Sequence, residues 1–229
     1  MAGLRVATWN IRAGLGTDLR RDPDRVLDGI AALGADIVAL QEADFRLGLR
    51  PSALPRAAIF DRTGLVALPI GRNAASIGWH GNAVLVRPDF HMQGLERLDL
   101  PGIEPRGAVI VDLDGPVALR LVAVHLGLWR GSRRKQLDTI RQAVLRHPAR
   151  PTLILGDFNE YSRRAGLGRL VPAFRLLEAA PTYPSRRPRL ALDRMAYSHE
   201  LDLVALPLVR QAGVQASDHL PLLAQLHWR

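Results

Sequence analysis

The feature that most constrains this chain is a series of short apolar runs, each of which ends at a polar side chain. Residues 35–40 are followed by Gln41-Glu42, and residues 119–124 are followed by His125. Runs of this length suit buried strands, whereas a membrane-spanning helix needs about 20 apolar residues. The pattern therefore predicts a sheet protein in which polar residues collect at strand ends.

The first forty residues predict a strand–helix–strand unit. Residues 4–10 alternate in the manner of a strand. Asp22-Pro23 has the composition of a helix start, an apolar face follows it, and Gly34 can end the helix. With residues 35–40 as the second strand, the unit is typical of a crossover connection in an α/β fold.

Further strands are predicted at 82–86, 108–113, 119–125, 152–155, 195–198, 203–209 and 222–226, and an amphipathic helix at 131–147. The turn at residues 114–116 predicts a hairpin between the second and third of these strands. The basic residues of the helix, Arg133 among them, are expected on its solvated surface. Residues 45–81 are rich in glycine and proline and are expected to form loops and short strands. Without repeats or a long linker, residues 1–229 are expected to form a single domain.

Composition excludes several classes of protein. The 229 residues include no cysteine, which excludes disulfides, thiolate catalysis and zinc–thiolate sites. The first residues enter a strand pattern at once, so we expect no secretory signal, no transmembrane segment and a cytoplasmic location. The oligomeric state is not encoded in any recognisable pattern, and a monomer is the default expectation.

The formal net charge is +9, carried by 30 arginines and one lysine. A GC-rich coding sequence accounts for the ratio of arginine to lysine. The excess of positive charge indicates an anionic substrate and suits a polyanionic partner such as nucleic acid.

Polar residues of complementary chemistry recur at the ends of the predicted strands: Asn10, Glu42, His125, Asp157 with Asn159, Asp193, and Asp218 with His219. Each alone is compatible with a cap or a turn. Together, carboxylate and amide oxygens suit Mg²⁺ or Mn²⁺, and two histidines suit proton transfer. The sequence lacks the motifs of NTPases, Rossmann dehydrogenases, zincins and serine hydrolases. Metal-assisted hydrolysis is the chemistry that remains.

Seven segments in order give the chain a recognisable pattern: TWNIR (8–12), VALQE (38–42), GNAVLV (81–86), VHLG (124–127), LILGDFNE (153–160), TYPSRRPRLALDRM (182–195) and SDHLPL (217–222). The sequence resembles the endonuclease/exonuclease/phosphatase superfamily of DNase I-like, metal-dependent phosphoesterases. GDFNE and SDHLPL are the most specific of these motifs.

The resemblance implies an α/β (α+β) fold, a DNase I-like sandwich of two packed mixed β-sheets flanked by helices. It implies that Asn10, Glu42 and Asp218 hold Mg²⁺ or Mn²⁺. Asp157 would orient or deprotonate the attacking water, or help to hold a second ion, and Asn159 would bind the phosphate. His219 would contact the scissile phosphate and move a proton, oriented by Asp193, and His125 would be the second histidine on the phosphate.

The match also has departures. Relatives place a carboxylate beside the residue that matches His125, but residues 79–82 contain no acid, which leaves the protonation state of His125 open. Asn82 is instead a candidate to face the substrate. Arg186 and Trp129 are further candidates for substrate contact, against the alternatives of a solvated basic loop and a surface side chain.

Three functions follow from these observations. The first is a divalent-metal-dependent phosphodiesterase acting on DNA or RNA, supported by the motifs and the charge. The second is the same chemistry on a phospholipid, an inositol phosphate or a small nucleotide, supported by the short chain. The third is a non-catalytic binding module, which the complete set of polar positions disfavours.

Overall fold

The structure is a computed structural model, and it describes residues 3–162, 166–171, 173–211 and 213–229. Its strands are β1 (Leu4–Asn10), β2 (Ile37–Gln41), β3 (Val66–Ala67), β4 (Ala83–Val86), β5 (His91–Leu100), β6 (Arg106–Asp114), β7 (Leu119–His125), β8 (Thr152–Asp157), β9 (Arg175–Leu176), β10 (Asp193–Tyr197), β11 (Leu201–Ala205) and β12 (Leu222–Trp228). Its α-helices are α1 (Pro23–Leu33), α2 (Arg56–Thr63) and α3 (Arg130–Arg146).

The strands form two six-stranded sheets. The first has the order β11-β12-β1-β2-β4-β3, and the second has the order β5-β6-β7-β8-β10-β9. In each sheet one pair is parallel: β1 with β2, joined through α1, and β7 with β8, joined through α3. The other pairs are antiparallel, including the predicted hairpin of β6 and β7.

Three apolar clusters hold the layers together. Between the sheets, side chains such as Ile37 and Val84 meet Leu121 and Leu153 from the opposite sheet. Helices α1 and α2 cover the outer face of the first sheet, and α3 covers the outer face of the second. Alternate strand residues therefore pack on both faces. This four-layer α/β/β/α sandwich confirms the predicted fold class.

Helix α1 forms where local chemistry predicts it. The Asp22 side chain accepts a hydrogen bond from the backbone nitrogen of Arg25, and Pro23 occupies the first turn. Val26, Ile30 and Leu33 form its buried face. The helix ends at Gly34, whose φ of 54° is the left-handed conformation that favours glycine.

Several sequence predictions were incomplete or wrong. Helix α2 lies in the segment expected to be loops and short strands, and its small buried face explains the weak pattern. Strand β5 was not predicted, because it is partly exposed along much of its length and lacks a continuous apolar run. The strand expected at 203–209 is instead Leu201–Ala205. Arg133 is buried rather than solvated.

The topology brings the ends of β1, β2, β7 and β8 to one edge of the sandwich. Parallel neighbours share a direction, and the Asn10 side chain at the end of β1 contacts the Asp157 side chain at the end of β8, across the two sheets. The turn between β5 and β6 lies at this edge too, because β6 is antiparallel to β7. Among the residues described, no helix combines the length and apolar character needed to cross a bilayer.

Candidate active site

Asp157 is the common neighbour of the predicted site residues. It lies at the end of β8 and is almost fully buried. Its Oδ2 accepts a hydrogen bond from Asn10 Nδ2 at 3.0 Å and lies 3.6 Å from His125 Nε2 and 3.9 Å from His219 Nε2. Its Oδ1 accepts a hydrogen bond from the backbone nitrogen of Asn159 at 2.9 Å. One carboxylate thus joins residues from both sheets.

The turn after β8 is held by contacts that the sequence did not reveal. Asn159 has a φ of 49°, and its Nδ2 donates to Leu126 O at 2.8 Å. The fully buried Glu160 accepts a hydrogen bond from Arg133 Nη2 at 3.0 Å. Arg133 Nη1 in turn donates to Gly127 O at 3.2 Å. These bonds tie the loops after β7 and β8 together, which explains why an arginine on α3 is buried.

His219 and Asp193 form a buried pair beside Asp157. His219 Nδ1 lies 2.8 Å from Asp193 Oδ2, which also accepts a hydrogen bond from Thr182 Oγ1. Asp193 is the first residue of β10, opposite Asp157 in the strand register. The backbone oxygen of His219 accepts a hydrogen bond from Nε1 of Trp9, which is buried in the core.

This arrangement sets the charge of His219. Burial alone would lower its pKa, but the charge and hydrogen bond of Asp193, with the charges of Asp157 and Asp218, raise the pKa of His219 to about 9. The imidazole is therefore protonated at neutral pH, with Nδ1–H donating to Asp193. Burial and the neighbouring charge of Asp193 also raise the pKa of Asp157.

His125 has a different partner, which the sequence did not identify. Arg106 Nη1 lies 2.9 Å from His125 Nε2 and 3.1 Å from Nδ1. Glu104 Oε2 holds the same guanidinium at 2.8 Å from Nη2, and Glu104 Oε1 accepts a hydrogen bond from the backbone nitrogen of Leu128. Burial, and then the Arg106 charge, lower the pKa of His125 well below its ordinary value. His125 is therefore neutral, and the positive charge on this side belongs to Arg106.

Glu42 and Asp218 lie on the more open side of the site. Their side chains are 24% and 29% exposed, in contrast to the buried residues around Asp157. Arg46 Nη2 donates to Glu42 Oε1 at 3.2 Å, and Arg12 Nε lies 3.4 Å from Asp218 Oδ2. The backbone nitrogen of Arg12 also donates to Asn10 Oδ1. Both carboxylates can therefore be reached from solvent.

Two sets of side chains are candidates to hold a metal ion. The predicted set of Asn10, Glu42 and Asp218 offers an amide and two carboxylates. A second set, Asp157, Asp193 and His219, offers two carboxylates and an imidazole nitrogen and places its ligand atoms within 4.8 Å of one another. A metal bound by His219 would have to displace the proton that the contact with Asp193 favours. The chemistry of the first set fits a hard divalent cation better.

The three predicted substrate contacts have different surroundings. Asn82 is fully buried, and its Nδ2 donates to Gly107 O at 2.9 Å and to Trp79 O at 3.2 Å. Asn82 therefore has no exposed surface in this structure, and its contact with the substrate stays a prediction. Arg186 is exposed and donates to Thr17 O at 2.7 Å. Trp129 precedes α3 and is 64% exposed, so it remains available for a ligand.

A cavity of about 160 Å³ opens beside the site and is lined by residues of both sheets, among them Glu42, His80, Arg106 and His125. Arg106 was not identified from the sequence, because no sequence pattern indicates that the first residue of β6 contacts a histidine on the neighbouring strand. Thr182 was inside the recognised motif TYPS, but its bond to Asp193 depends on how that loop folds.

The chain is similar to known proteins along nearly its whole length. Residues 7–219 match the model of the "Endonuclease/Exonuclease/phosphatase family". The uncharacterized protein YbhP of Escherichia coli K12 is 30% identical over 244 residues, covering 97% of this chain and 96% of YbhP. An endonuclease/exonuclease/phosphatase structure from Beutenbergia cavernae has a TM-score of 0.76 at 21% identity, covering 100% of this chain and 72% of that one. The mannosyl-6-phosphatase Bt3783 of Bacteroides thetaiotaomicron has a TM-score of 0.72 at 15% identity, covering 98% of this chain and 100% of that one.

Proposed function

Because the chain belongs to the endonuclease/exonuclease/phosphatase family, a family of phosphoesterases, we propose that it is a divalent-metal-dependent phosphodiester hydrolase. The observation that carries the proposal is the pair of contacts around His219. A protonated imidazole is held by Asp193 on one nitrogen and points its other nitrogen toward Asp157. This places a proton donor and a carboxylate side by side at a solvent-accessible edge.

In this proposal, His219 stabilises negative charge on the phosphoryl oxygens and supplies a proton to the departing oxygen. Asp193 keeps Nδ1 occupied and the ring charged, so the proton on Nε2 is the one available to substrate. Thr182 Oγ1 donates to the same oxygen of Asp193, Oδ2, and helps to hold the carboxylate in place.

Asp157 is the group that orients the attacking water and accepts its proton. Its carboxylate is restrained by Asn10 and by the backbone of Asn159, so its lone pairs have a defined direction. The Asn159 amide uses one N–H on Leu126 O, which leaves the second N–H for a phosphate oxygen.

Asn10, Glu42 and Asp218 would hold Mg²⁺ or Mn²⁺. A bound divalent cation at this position would supply charge stabilisation for the phosphoryl group undergoing attack. The two exposed carboxylates and the amide oxygen are ligand types that such ions prefer.

Arg106 extends the proposal beyond the residues recognised from sequence. His125 is neutral, so the cationic contribution to phosphate binding on this flank comes from the Arg106 guanidinium. Arg106 donates from Nε and Nη2 to Glu104, so its Nη1 is directed toward His125 and the site. Trp129 and Arg186 are proposed contacts to the rest of the substrate.

The test is metal-dependent hydrolysis of bis-p-nitrophenyl phosphate. We expect no turnover in EDTA and recovery with Mg²⁺ or Mn²⁺. Glu42→Gln keeps the side-chain shape but removes the charge, and it should weaken metal binding measured by calorimetry at least about 100-fold. Glu200→Gln changes an exposed acid between β10 and β11 and should behave as wild type. Full activity in EDTA, or unaltered metal binding by Glu42→Gln, would contradict the proposal.

A further inference from the structure

The loops around the candidate site expose large apolar side chains. The turns and loops at this edge of the sandwich carry six of them: Leu19, Leu47, Leu49, Ile103, Leu128 and Trp129. Leu47 is 85% exposed and Leu49 is 71% exposed. Single exposed leucines are common, but apolar side chains at the tips of several loops around one opening indicate a contact surface.

The loop between β2 and α2 presents its leucines on an ordered turn. The backbone nitrogen of Phe45 donates to Pro51 O at 2.8 Å, and that of Arg50 donates to Leu47 O at 3.1 Å. At the base of the loop, Asp44 Oδ1 accepts a hydrogen bond from the backbone nitrogen of Ile77 at 2.9 Å. These bonds hold the Leu47-Gly48-Leu49 tip away from the core, so its exposure is a property of the folded loop.

The loop between β1 and α1 also has an exposed apolar side chain and contacts the first loop. Leu19 is 72% exposed, and two residues later the Arg21 guanidinium lies 5.0 Å from the centre of the Phe45 ring. A cavity of about 380 Å³ is lined by residues of both loops, including Leu47, and by the proposed metal ligand Glu42. The Leu47 tip therefore borders a path to the site.

The charged side chains that these two loops expose most are arginines, whereas their acidic side chains are half-buried or buried. Arg20, Arg21 and Arg46 are exposed, and the Arg46 side chain is 72% exposed. Apolar side chains flanked by arginines match the interface of an anionic bilayer, where the apolar groups enter the acyl boundary and the cations meet lipid phosphates.

We propose that this edge of the protein docks on an anionic phospholipid surface and that the substrate is a phosphodiester in a lipid head group. The inference rests on the proposed function for its chemistry: water oxygen bonds to phosphorus, one ester P–O bond breaks, and the departing oxygen takes a proton. A nucleic acid would satisfy the arginines but would offer the leucine tips no apolar partner, because bases stack on aromatic faces. A second copy would bring like-charged arginine loops together.

The experiment measures binding to vesicles of equal parts phosphatidylglycerol and phosphatidylcholine by co-sedimentation, with EDTA present. Wild type should bind these vesicles and bind pure phosphatidylcholine weakly. The double variant Leu47→Ser, Leu49→Ser should bind about tenfold more weakly, because it loses the apolar insertion while keeping every arginine. Leu145→Ser is the matched control, since Leu145 is 59% exposed at the end of α3 remote from the site.

Hydrolysis separates docking from chemistry. With Mg²⁺, the double variant should cleave soluble bis-p-nitrophenyl phosphate at the wild-type rate and vesicle phospholipid about tenfold more slowly. Wild type that fails to bind anionic vesicles, or a double variant that binds them as wild type does, overturns the docking proposal even if the soluble diester is cleaved. If the protein cleaves DNA and does not bind vesicles, the docking proposal is overturned in favour of nucleic acid. If wild type is a dimer and the double variant is not, it is overturned in favour of a second copy of the chain. If wild type cleaves no phosphoester but still binds vesicles through the leucines, the proposed function is overturned instead.

Discussion

The two histidines beside Asp157 have the same side chain and similar burial, but their pKa values shift in opposite directions. On one flank, made by β6 and β7, His125 lies against the Arg106 guanidinium, and its pKa falls well below the ordinary value. On the other flank, made by β10 and the loop before β12, His219 lies against Asp193, and its pKa rises to about 9. Burial lowers the pKa of both rings, so the partner decides the outcome.

The comparison shows how one carboxylate can serve two purposes. Asp157 Oδ2 is 3.6 Å from the neutral ring and 3.9 Å from the charged one. A neutral imidazole leaves the adjacent cationic role to Arg106, whereas a charged imidazole supplies both a proton and a positive charge. In the proposed function, one flank binds the anion and the other donates the proton, so each role can be tested by substitutions on its own flank.

The largest effect is expected from the His219 flank. His219→Ala should lower turnover of a phosphodiester by about 10²–10⁴-fold, which is the usual contribution of a positioned general acid. Asp193→Ala should have an effect of similar kind, and the double variant should be little worse than His219→Ala, because the two residues act as a unit. Steady-state rates of the three variants test this. A double variant whose loss equals the product of the single losses would show that the residues act independently.

A smaller effect is expected from the His125 flank. Arg106→Gln removes a positive charge aimed at the phosphate and should lower turnover about 10²-fold, with partial recovery in Arg106→Lys. Arg120→Gln is the matched control, because Arg120 is also a buried arginine, paired with Asp112 at the opposite end of the same hairpin. That control should lower the free energy of unfolding without lowering the rate per folded molecule. Equal rate losses in both variants would mean that Arg106 acts only through stability.

The smallest effect concerns stability of the metal-free protein. The folded pKa of His219, about 9, lies above the ordinary value of 6.5, so the folded state retains a proton that the unfolded state releases. This stabilisation is complete below pH 6.5 and is lost as the pH rises through about 9. Urea unfolding in EDTA should show a loss of about 1–3 kcal/mol across that window.

The comparison variants for this measurement are His219→Gln and His147→Gln. The first should remove most of the pH dependence of the unfolding free energy between pH 6.5 and 9. The second changes a histidine outside the site, in contact with Glu96, and should retain that dependence. A pH profile that is unchanged by His219→Gln would contradict the proposed charge of His219.

The elements that the sequence predicted best are those whose chemistry is local. Helix α1 has its cap, its proline and its terminal glycine within the chain segment itself, and β7 and β8 each contain a short apolar run, Leu121–Val124 and Leu153–Leu155. Strand β5 and helix α2 were not predicted because each has a weak apolar face and depends on its neighbours for stability.

The candidate site also has one part that the sequence predicted and one part that it did not. The polar residues at strand ends were recognisable because residue type and motif order are properties of the chain. Their surroundings were not recognisable. The buried Asn82 amide donates to the backbone oxygens of residues 79 and 107, which lie near it only in the folded chain. Arg106 reaches His125 because β6 and β7 are paired in one register.

The family, and through it the sandwich class and the groups available for chemistry, could be recognised from the sequence, because the order and spacing of motifs are properties of the chain. Only the tertiary structure decided which histidine carries the charge and which loop tips are exposed beside the site. A pKa depends on the charges and solvent within a few ångströms, and exposure depends on what packs nearby. Both are set by residues distant in sequence: Arg106 lies 19 residues before His125, and Asp193 lies 26 before His219.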